Sequence, residues 1–420
     1  MRRIILAAVL VALAVGACQP SGTTASNDES PRWYRGNLHT HSLWSDGDDF
    51  PESIVGWYKG HGYDFIALSD HNVLAVGDKW IDVIQGTPRF EAYQKYLAEY
   101  GDAWVDSEAS GETLRVRLKT LEEYRTLFED PGRFLIISSE EISDHFEDKP
   151  IHVNATNVAE LIDPQGGGSV QEVLQNNIDA VLEQRERTGR PMFPHINHPN
   201  FMWALTAEDL IAVEGERFFE VYNGHPLVHN LGDDQRPGMD RLWDIVLTER
   251  LARGGEILYG LATDDAHNYH ETRPNLANPG RGWVMVRASA LTPEALIEAL
   301  EAGDFYAATG VELEDVSRQD QTLTVQIRPK EGVTYRTLFI GTRRGYTPPQ
   351  EIAGGTDQAA VTRLYSDEIG EVLAEVEGTS PSYTFTGDEL YVRAKIVSSR
   401  LKDNEPDGEY ETAWTQPVVP

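Results

Sequence analysis

The chain has 420 residues, of which 40% are hydrophobic, and its formal net charge at pH 7 is −32. This length predicts about two or three domains, and the composition is apolar enough to build a large core. A chain this acidic is not expected to carry a generic basic groove for nucleic acid. If its substrate is an anion, bound divalent cations would be needed to reverse the sign of the local field.

The N-terminus has the pattern of an export signal. Two arginines follow Met1, and the apolar run from Ile4 to Val15 is too short to span a bilayer. Small residues precede Cys18, and the sequence up to this cysteine resembles the lipobox of bacterial lipoproteins. We therefore expect a lipoprotein signal peptide at residues 1–17 and a flexible tether at residues 18–32. The alternative is an ordinary signal followed by a chance cysteine.

Cys18 is the only cysteine in the chain, so no disulfide can form within it. The lipobox resemblance implies that Cys18 is lipidated, and Gln19 after it implies an outer-membrane destination. The expected protein is exported, is attached to the outer membrane through this lipid alone, and faces the periplasm or the cell surface.

Residues 33–312 alternate short apolar segments with helical patterns. The apolar segments predict strands: Phe65–Leu68, Phe134–Ile137, Ile151–Asn154, Pro191–Pro194, Phe218–Val221 and Ile257–Ala262. The helical patterns lie between them: Glu52–His61, Thr120–Phe128, Val170–Thr188, Met239–Arg253 and Thr292–Gly303. About six or seven such strand–helix units predict an α/β fold in which a parallel sheet forms a barrel with the helices outside.

Two regions depart from this alternation. Residues 75–119 form a long insertion rich in Trp and Tyr. Two interpretations of it stay open: a functional lid and a peripheral helical decoration. From residue 313 to residue 420 the pattern changes to alternating strands separated by Gly, Pro and Asp turns, and this part contains no histidine. It predicts a small β-sandwich-like domain that takes no part in metal chemistry.

The first candidate for chemistry is the segment from His39 to Gly47. Residues i and i+2 of a strand point to the same side, so His39 and His41 would converge at the strand end. Asp46 follows on the loop, next to a glycine that lets the chain turn. Two imidazoles on a rigid element indicate a metal site.

Further residues of metal-ligand type recur at the ends of the other predicted strands. They are His71, Glu141, His152, His198, Asp265 and His267. Together with His39 and His41 they include six of the 12 histidines of the chain, and a barrel gathers its strand ends into one mouth. Imidazole and carboxylate ligands without thiolate suit Zn, Mn or Fe(II).

These residues stand in motifs that resemble, in order, those of the PHP (polymerase and histidinol phosphatase) superfamily. The motifs are His39-x-His41-Ser-x-x-Ser-Asp46-Gly, Ser69-Asp70-His71-Asn72, Glu141 after an apolar strand, His198-Pro199 and Asp265-x-His267. The resemblance covers about residues 33–310 and is nearest to the exported CehA/McbA-like branch of metallohydrolases. It implies a distorted (β/α)7 barrel with a trinuclear metal centre, followed by the small all-β domain.

The resemblance also implies which residues bind which ion. One ion would take His39, His41, Glu141 and Asp265; a second would share Glu141 and add His152 and His198; a third would take Asp46, His71 and His267. Two assignments compete with a neighbour, since Glu140 adjoins Glu141 and His195 lies near His198. The family pattern favours Glu141 and His198. His195 is then expected either behind the ligands or in the pocket, and Asp264 behind Asp265 and His267.

The activity implied by the resemblance is that of a metal-dependent hydrolase, foremost a phosphoesterase. A hydroxide that bridges two of about two to three divalent ions (Zn, Mn or Fe) would attack a small, phosphorylated substrate. Glu141, Asp265 and His225 would be catalytic, and Arg281, His225 and His195 would contact the substrate. Two alternatives stay open: hydrolysis of a carboxylic or carbamic ester or amide at the same centre, and a cell-surface binding protein with a relict site.

Overall fold

The structure is a computed structural model that describes residues 30–111, 113–351, 363–403 and 408–420. The predicted signal peptide (1–17), Cys18 and most of the predicted tether (18–32) lie outside the described residues. From Pro31 to Pro420 the chain forms one compact unit. None of the helices within the described ranges combines the length and the apolar character that a membrane span requires.

The helices of the described part of the chain are α1 (Pro51–Gly60), α2 (Pro88–Tyr100), α3 (Leu121–Phe128), α4 (Val170–Thr188), α5 (Ala207–Ala212), α6 (Met239–Ala252) and α7 (Pro293–Glu301). All five helices predicted from periodicity are confirmed to within two residues at each end. In α4 the reason is local, because Ser169 caps the start by accepting from the amide of Glu172 and Gly189 ends the helix in a left-handed conformation. The six-residue helix α5 was not predicted, and α2, of 13 residues, lies in the insertion for which a helical decoration was one of the two open interpretations.

The first strands along the chain are β1 (Arg32–Asn37), β2 (Phe65–Leu68), β3 (Lys79–Val83), β4 (Ser107–Ser110), β5 (Thr113–Leu118), β6 (Leu135–Phe146), β7 (Lys149–Thr156), β8 (Phe193–Ile196), β9 (Phe218–Asn223), β10 (Tyr259–Thr263), β11 (Trp283–Ala288) and β12 (Phe305–Ala308). The remaining strands are β13 (Leu313–Gln319), β14 (Thr322–Ile327), β15 (Tyr335–Arg343), β16 (Gln350–Glu351), β17 (Arg363–Leu364), β18 (Glu371–Glu377), β19 (Ser382–Thr384), β20 (Glu389–Leu401) and β21 (Tyr410–Thr415).

Within the described residues, 13 strands form one mixed sheet in the order β10-β9-β8-β7-β6-β2-β1-β11-β12-β21-β20-β15-β18. The α/β class is confirmed and the distorted barrel of seven strand–helix units stays a prediction, but the sheet is mixed where a parallel one was predicted. The reason lies in the connections: β6, β7 and β8 pair antiparallel, and β11 and β12 return antiparallel beside β1. The sheet therefore continues past β1 instead of ending there.

The segments that follow β1 and β10 nevertheless meet. The amide of His41 donates to the carbonyl of Ala266 (2.9 Å), and the amide of Asp265 donates to the carbonyl of His39 (3.0 Å). One buried apolar cluster includes side chains from β1, β2, β6, β8, β9, β10 and β11. These strands share a common core, and their polar ends gather above it.

The insertion at residues 75–119 has a small sheet of its own, in the order β3-β5-β4, with α2 beside it. Its apolar side chains pack in one cluster with Leu43, Trp44 and Phe50. The indole of Trp44 also donates to the carbonyl of Lys119 (3.1 Å). The insertion is thus attached to the loop that carries Asp46.

The C-terminal strands form two layers. β21, β20, β15 and β18 extend the large sheet, while β13, β14 and β19 form a separate sheet of three. Apolar side chains of both layers, such as Leu323 and Val325 on β14 and Phe339 on β15, belong to one buried cluster. This is the packing expected of a β-sandwich. Since β12 pairs with β21, the sheet runs across the predicted boundary at residue 312, and the division into two domains stays a prediction.

Candidate metal centre

The structure brings all nine predicted ligands into one cluster at the strand ends. His39, His41 and Asp46 follow β1, His71 follows β2, Glu141 lies in β6, His152 in β7, His198 follows β8, and Asp265 and His267 follow β10. Five groups of described residues have their ligand atoms within 4.8 Å of one another, and four of them consist of predicted ligands: His39, His41 and Glu141; His39, His198 and Asp265; His71, Glu141 and His152; and His41, Asp46, His71 and His267. The fifth group joins His39 with His195 and Glu220. The ligand roles themselves stay predictions.

The spacing around His39 and His41 suits one shared ion. The Nε2 atom of His39 lies 3.4 Å from Glu141 Oε2 and 3.3 Å from Asp265 Oδ1. For the Nε2 atom of His41 the same two distances are 3.3 and 3.1 Å. Two ligands of a tetrahedral ion, with bonds of about 2.0–2.2 Å, are about 3.3–3.6 Å apart. The four distances lie at or just below this spacing.

Glu141 lies between this group and the next. Its Oε1 atom is 2.8 Å from His152 Nδ1 and 3.5 Å from His198 Nε2, and its Oε2 atom is 2.8 Å from His71 Nδ1. The competing Glu140 lies on the opposite face of β6, where its carboxylate accepts from the amide of Ile162 (2.8 Å). The geometry therefore favours Glu141 as the carboxylate that two ions would share.

The third group is the most open to solvent. Asp46 Oδ1 lies 3.4 Å from His267 Nε2, 3.5 Å from His71 Nε2 and 4.0 Å from His41 Nδ1. The side chain of Asp46 is 59% exposed, whereas that of His41 is fully buried. The cluster thus has a buried side at His39 and His41 and an open side at Asp46.

Unpartnered polar atoms show that the cluster fits divalent ions. His39 Nε2, His41 Nδ1 and Glu141 Oε2 are buried and make no hydrogen bond of acceptable angle within the described residues, although Glu141 Oε2 lies 2.8 Å from His71 Nδ1. Each such atom costs about 1–3 kcal/mol when it is left unsatisfied. Because these atoms converge and are of the types that bind Zn, Mn or Fe, bound divalent ions would satisfy them together.

The electrostatics of the cluster agree with this fit. Burial alone would raise the pKa values of Glu141 and Asp265, but the surrounding imidazoles hold both pKa values well below their ordinary range. Burial, helped by the charges of His267 and His71, lowers the pKa of His41 to about 3. For His39, burial is outweighed by Asp265, Glu220 and Glu141, which raise its pKa. The carboxylates are ionised, and they attract a cation.

Glu220 on β9 is a functional candidate that sequence reasoning missed. It is fully buried, and its Oε1 atom lies 2.6 Å from His39 Nδ1 and accepts from the hydroxyl of Thr263 (2.7 Å). Its Oε2 atom accepts from the amide of His198 (2.7 Å) and from Asn223 Nδ2 (2.8 Å). A carboxylate on Nδ1 leaves Nε2 of His39 to face Glu141 and Asp265.

A signal for Glu220 was present in the sequence. It stands inside the apolar run Phe218-Phe219-Glu220-Val221, which was predicted to be a buried strand. A carboxylate is almost never fully buried unless it is paired, so its place in this strand predicts a partner. His195 lies beside it, with Nε2 3.6 Å from Glu220 Oε1. His195 is fully buried and offers no surface to a substrate, so the structure does not support the predicted substrate contact.

The other predicted substrate residues differ in their surroundings. His225 is half-buried at the edge of the cluster, with its ring centroid 5.6 Å from that of His267. Burial lowers the pKa of His225 to about 4. Arg281 is buried, and its guanidinium donates to the carbonyls of Gly224 (2.7 Å) and Arg273 (3.0 Å). These contacts show Arg281 bracing the loop before His225, and the predicted substrate contact stays untested.

Asp264 lies behind its neighbour Asp265, as predicted. Its carboxylate accepts from the amides of Gly280, Arg281 and Gly282, at 2.6–2.8 Å, and from the hydroxyl of Tyr58 at 2.7 Å. It therefore anchors the 280–282 loop and does not belong to any of the four groups of converging ligands.

No family model matches the chain, and no curated protein is similar to it in sequence. Among solved structures it is similar to a two-domain protein from Bacteroides vulgatus, named as containing a predicted PHP-like metal-dependent phosphoesterase. The identity is 14%, 92% of this chain and 96% of that chain are covered, and the TM-score is 0.38. A protein from Bifidobacterium adolescentis, provisionally named a metal-dependent phosphoesterase, is 13% identical over 57% of this chain and 89% of that chain, with a TM-score of 0.29. Scores this low establish neither fold nor function.

Proposed function

We propose that this chain is a metal-dependent hydrolase of the PHP type, with about two to three divalent ions, and that its foremost activity is phosphoester hydrolysis. The observation that carries the proposal is the convergence of the nine ligand-type side chains, with buried lone pairs that no described residue satisfies. A distorted barrel as the underlying fold is supported by the hydrogen bonds that join the chain after β1 to the chain after β10.

Bound divalent ions would supply Lewis acidity and would lower the pKa of water towards about 7, which provides a nucleophile at neutral pH. The residues of the chain do the rest. Glu220 orients His39, and Asn197 donates to Glu141 Oε1 (2.8 Å) and so fixes the central carboxylate. His225 accepts from the amide of Leu227 at Nδ1 (3.3 Å), so its Nε2 carries the proton and can donate to a substrate oxygen.

The test is an assay of protein loaded with Mn or Zn against p-nitrophenyl phosphate, bis-p-nitrophenyl phosphate and p-nitrophenyl acetate. We expect turnover of at least one phosphate ester. Turnover of the acetate without either phosphate would replace the proposal with carboxylic ester hydrolysis. Stoichiometric metal without turnover of any of the three would favour the binding protein.

We also propose export and lipid attachment at Cys18, on the sequence pattern alone. The intact mass of the mature protein from a bacterial host tests this directly. Lipidation predicts that residues 1–17 are absent and that a diacylglycerol and an acyl chain are added to Cys18. An unmodified Cys18, or an uncleaved N-terminus, would contradict it.

A further inference from the structure

Two loops beside the metal cluster present large apolar side chains to solvent. One loop follows β8 and the other follows β9. Met202 on the first is 62% exposed, and Leu227 on the second is 61% exposed. They are among the most exposed large apolar residues in the described part of the chain. Exposed apolar surface beside a cleft is typical of binding sites.

The two loops are joined in a fixed register. Phe201 and Val228 form an antiparallel bridge, so Met202, which follows Phe201, and Leu227, which precedes Val228, lie at the same end of this bridge. Asn200 Nδ2 also donates to the carbonyl of His229 (3.0 Å). Met202 and Leu227 are thus neighbours across the two loops. We call Phe201, Met202 and Leu227 the apolar rim.

The contacts of the neighbouring Trp203 fix the backbone that exposes Met202. The ring of Trp203 is stacked on His229, with centroids 4.3 Å apart, and the guanidinium of Arg236 lies 4.1 Å from the Trp203 ring. Met202 and Trp203 both have positive φ angles, of 50° and 55°. This conformation is uncommon for large side chains and is maintained only when the surroundings enforce it.

The rim begins at the metal cluster. The ring of Phe201 lies 5.1 Å from that of His198 and 5.7 Å from that of His225, between centroids. Leu227 also contacts His225, because the amide of Leu227 donates to His225 Nδ1 (3.3 Å). A substrate whose anionic group reached the ions past His198 and His225 would therefore have a long substituent near Met202 and Leu227.

We propose that the apolar rim binds an alkyl or aryl substituent of the substrate, so that the substrate class is an amphipathic ester with an anionic head and an apolar tail. The inference rests on the proposed function and names its substrate class. Full burial of one methylene improves binding about fourfold. Because an open rim covers only one side of an apolar tail, we expect a ligand with a hexyl group to bind only about tenfold more tightly than one with a methyl group.

Calorimetry on Mn-loaded protein tests the rim without turnover, with methylphosphonate and hexylphosphonate as probes. We expect hexylphosphonate to bind about tenfold more tightly, and the Met202→Ser/Leu227→Ser double variant to reduce this preference to about twofold with methylphosphonate affinity unchanged. The control is Leu401→Ser, which changes an apolar residue of similar exposure, 52%, at the end of β20. It should keep the full preference.

Hydrolysis of methyl and hexyl p-nitrophenyl phosphate separates the two proposals. If hexylphosphonate binds more tightly than methylphosphonate but neither diester is hydrolysed, the proposed phosphoesterase activity is overturned and the proposed role of the apolar rim is supported. If both diesters are hydrolysed with equal kcat/KM and both phosphonates bind with equal affinity, the proposed role of the apolar rim is overturned and the phosphoesterase activity stands. A chain-length preference that survives in the double variant would also overturn it, as would self-association or membrane binding that depends on these residues without any such preference.

Discussion

Two regions of this molecule bury charged side chains, and they do so in opposite ways. Between α6 and the C-terminal strands, the fully buried Arg393 donates through Nε and Nη2 to the two oxygens of Asp244, both at 2.8 Å. The hydroxyl of Tyr391 donates to the same carboxylate (2.8 Å). At the metal cluster, acceptors face acceptors, and His39 Nε2, His41 Nδ1 and Glu141 Oε2 make no hydrogen bond within the described chain.

The difference separates a structural role from a binding role. A buried cation and its anion satisfy each other's charge within the chain, so removing the cation lowers the stability of the fold. Converging imidazoles and carboxylates leave inward lone pairs that a cation supplied from outside would satisfy. Substitutions in the two regions should therefore change different measured quantities, and the following predictions test that separation from the largest expected effect to the smallest.

Glu141→Gln should have the largest effect, because Glu141 lies in two of the four ligand groups. We expect at least one ion to be lost per chain and phosphoesterase activity to fall by more than the roughly 10–100-fold typical of supporting residues. Metal analysis and kcat/KM measure both. Glu140→Gln is the matched control: burial raises the pKa of Glu140 to about 8, so the glutamine resembles its protonated form. Equal losses in both variants would refute the assignment.

Arg393→Met should destabilise the fold by about 3–5 kcal/mol, since it leaves Asp244 buried without its cation. Urea unfolding measures this free energy. The double variant Arg393→Met/Asp244→Leu should recover part of it, because the buried pair is then gone, while Asp240, 3.2 Å from Arg393 in the wild type, keeps its ion pair with Lys395. Metal content per folded chain should stay that of the wild type in both variants. Loss of metal at unchanged stability would contradict the separation of the two regions.

Glu220→Gln should weaken metal binding and activity by about 10–100-fold, since it removes the carboxylate that orients His39. Titration with Zn and kcat/KM are the readouts, and excess metal should restore part of the activity. Glu216→Gln is the control: Glu216 is a buried carboxylate just before the same strand, and it accepts from the amide of Phe218. If the two variants bind metal equally, Glu220 does not position His39.

The smallest effect concerns acid stability in the C-terminal region. Burial alone would raise the pKa of Glu389, but hydrogen bonds from Thr386 and Tyr383 lower it from 4.5 to about 2. A lowered pKa contributes stability that is complete above pH 4.5 and is lost as the pH falls through about 2. Glu389→Gln should be less stable at neutral pH and should lose less stability across that window. Parallel pH profiles of unfolding would contradict this.

Much of the site and part of the fold could be predicted from the sequence. Val170–Thr188 was predicted as a helix from its periodicity, and α4 has these same bounds. His39 and His41 were predicted to converge from their strand spacing, and both lie within 3.5 Å of Glu141. Such features follow from local geometry, which a sequence carries directly.

The remainder depends on distant contacts. The antiparallel pairing of β6, β7 and β8 could not be predicted, because a short apolar run indicates a buried strand but not whether its neighbours are parallel or antiparallel. His195 and Arg281 were predicted to contact substrate. His195 is enclosed beside Glu220, and Arg281 donates to carbonyls of two loops, contacts that the sequence did not indicate. Only the packed chain shows which polar residue faces the open side of the cluster.

The most direct test of the central claim is the metal content of the purified chain after reconstitution with Mn or Zn, with His41→Ala in parallel. The account predicts at least two ions per wild-type chain and fewer in the variant, because His41 belongs to two of the ligand groups. Fewer than two ions in the wild type would contradict the multinuclear centre. An unchanged content in His41→Ala would contradict the ligand assignment itself.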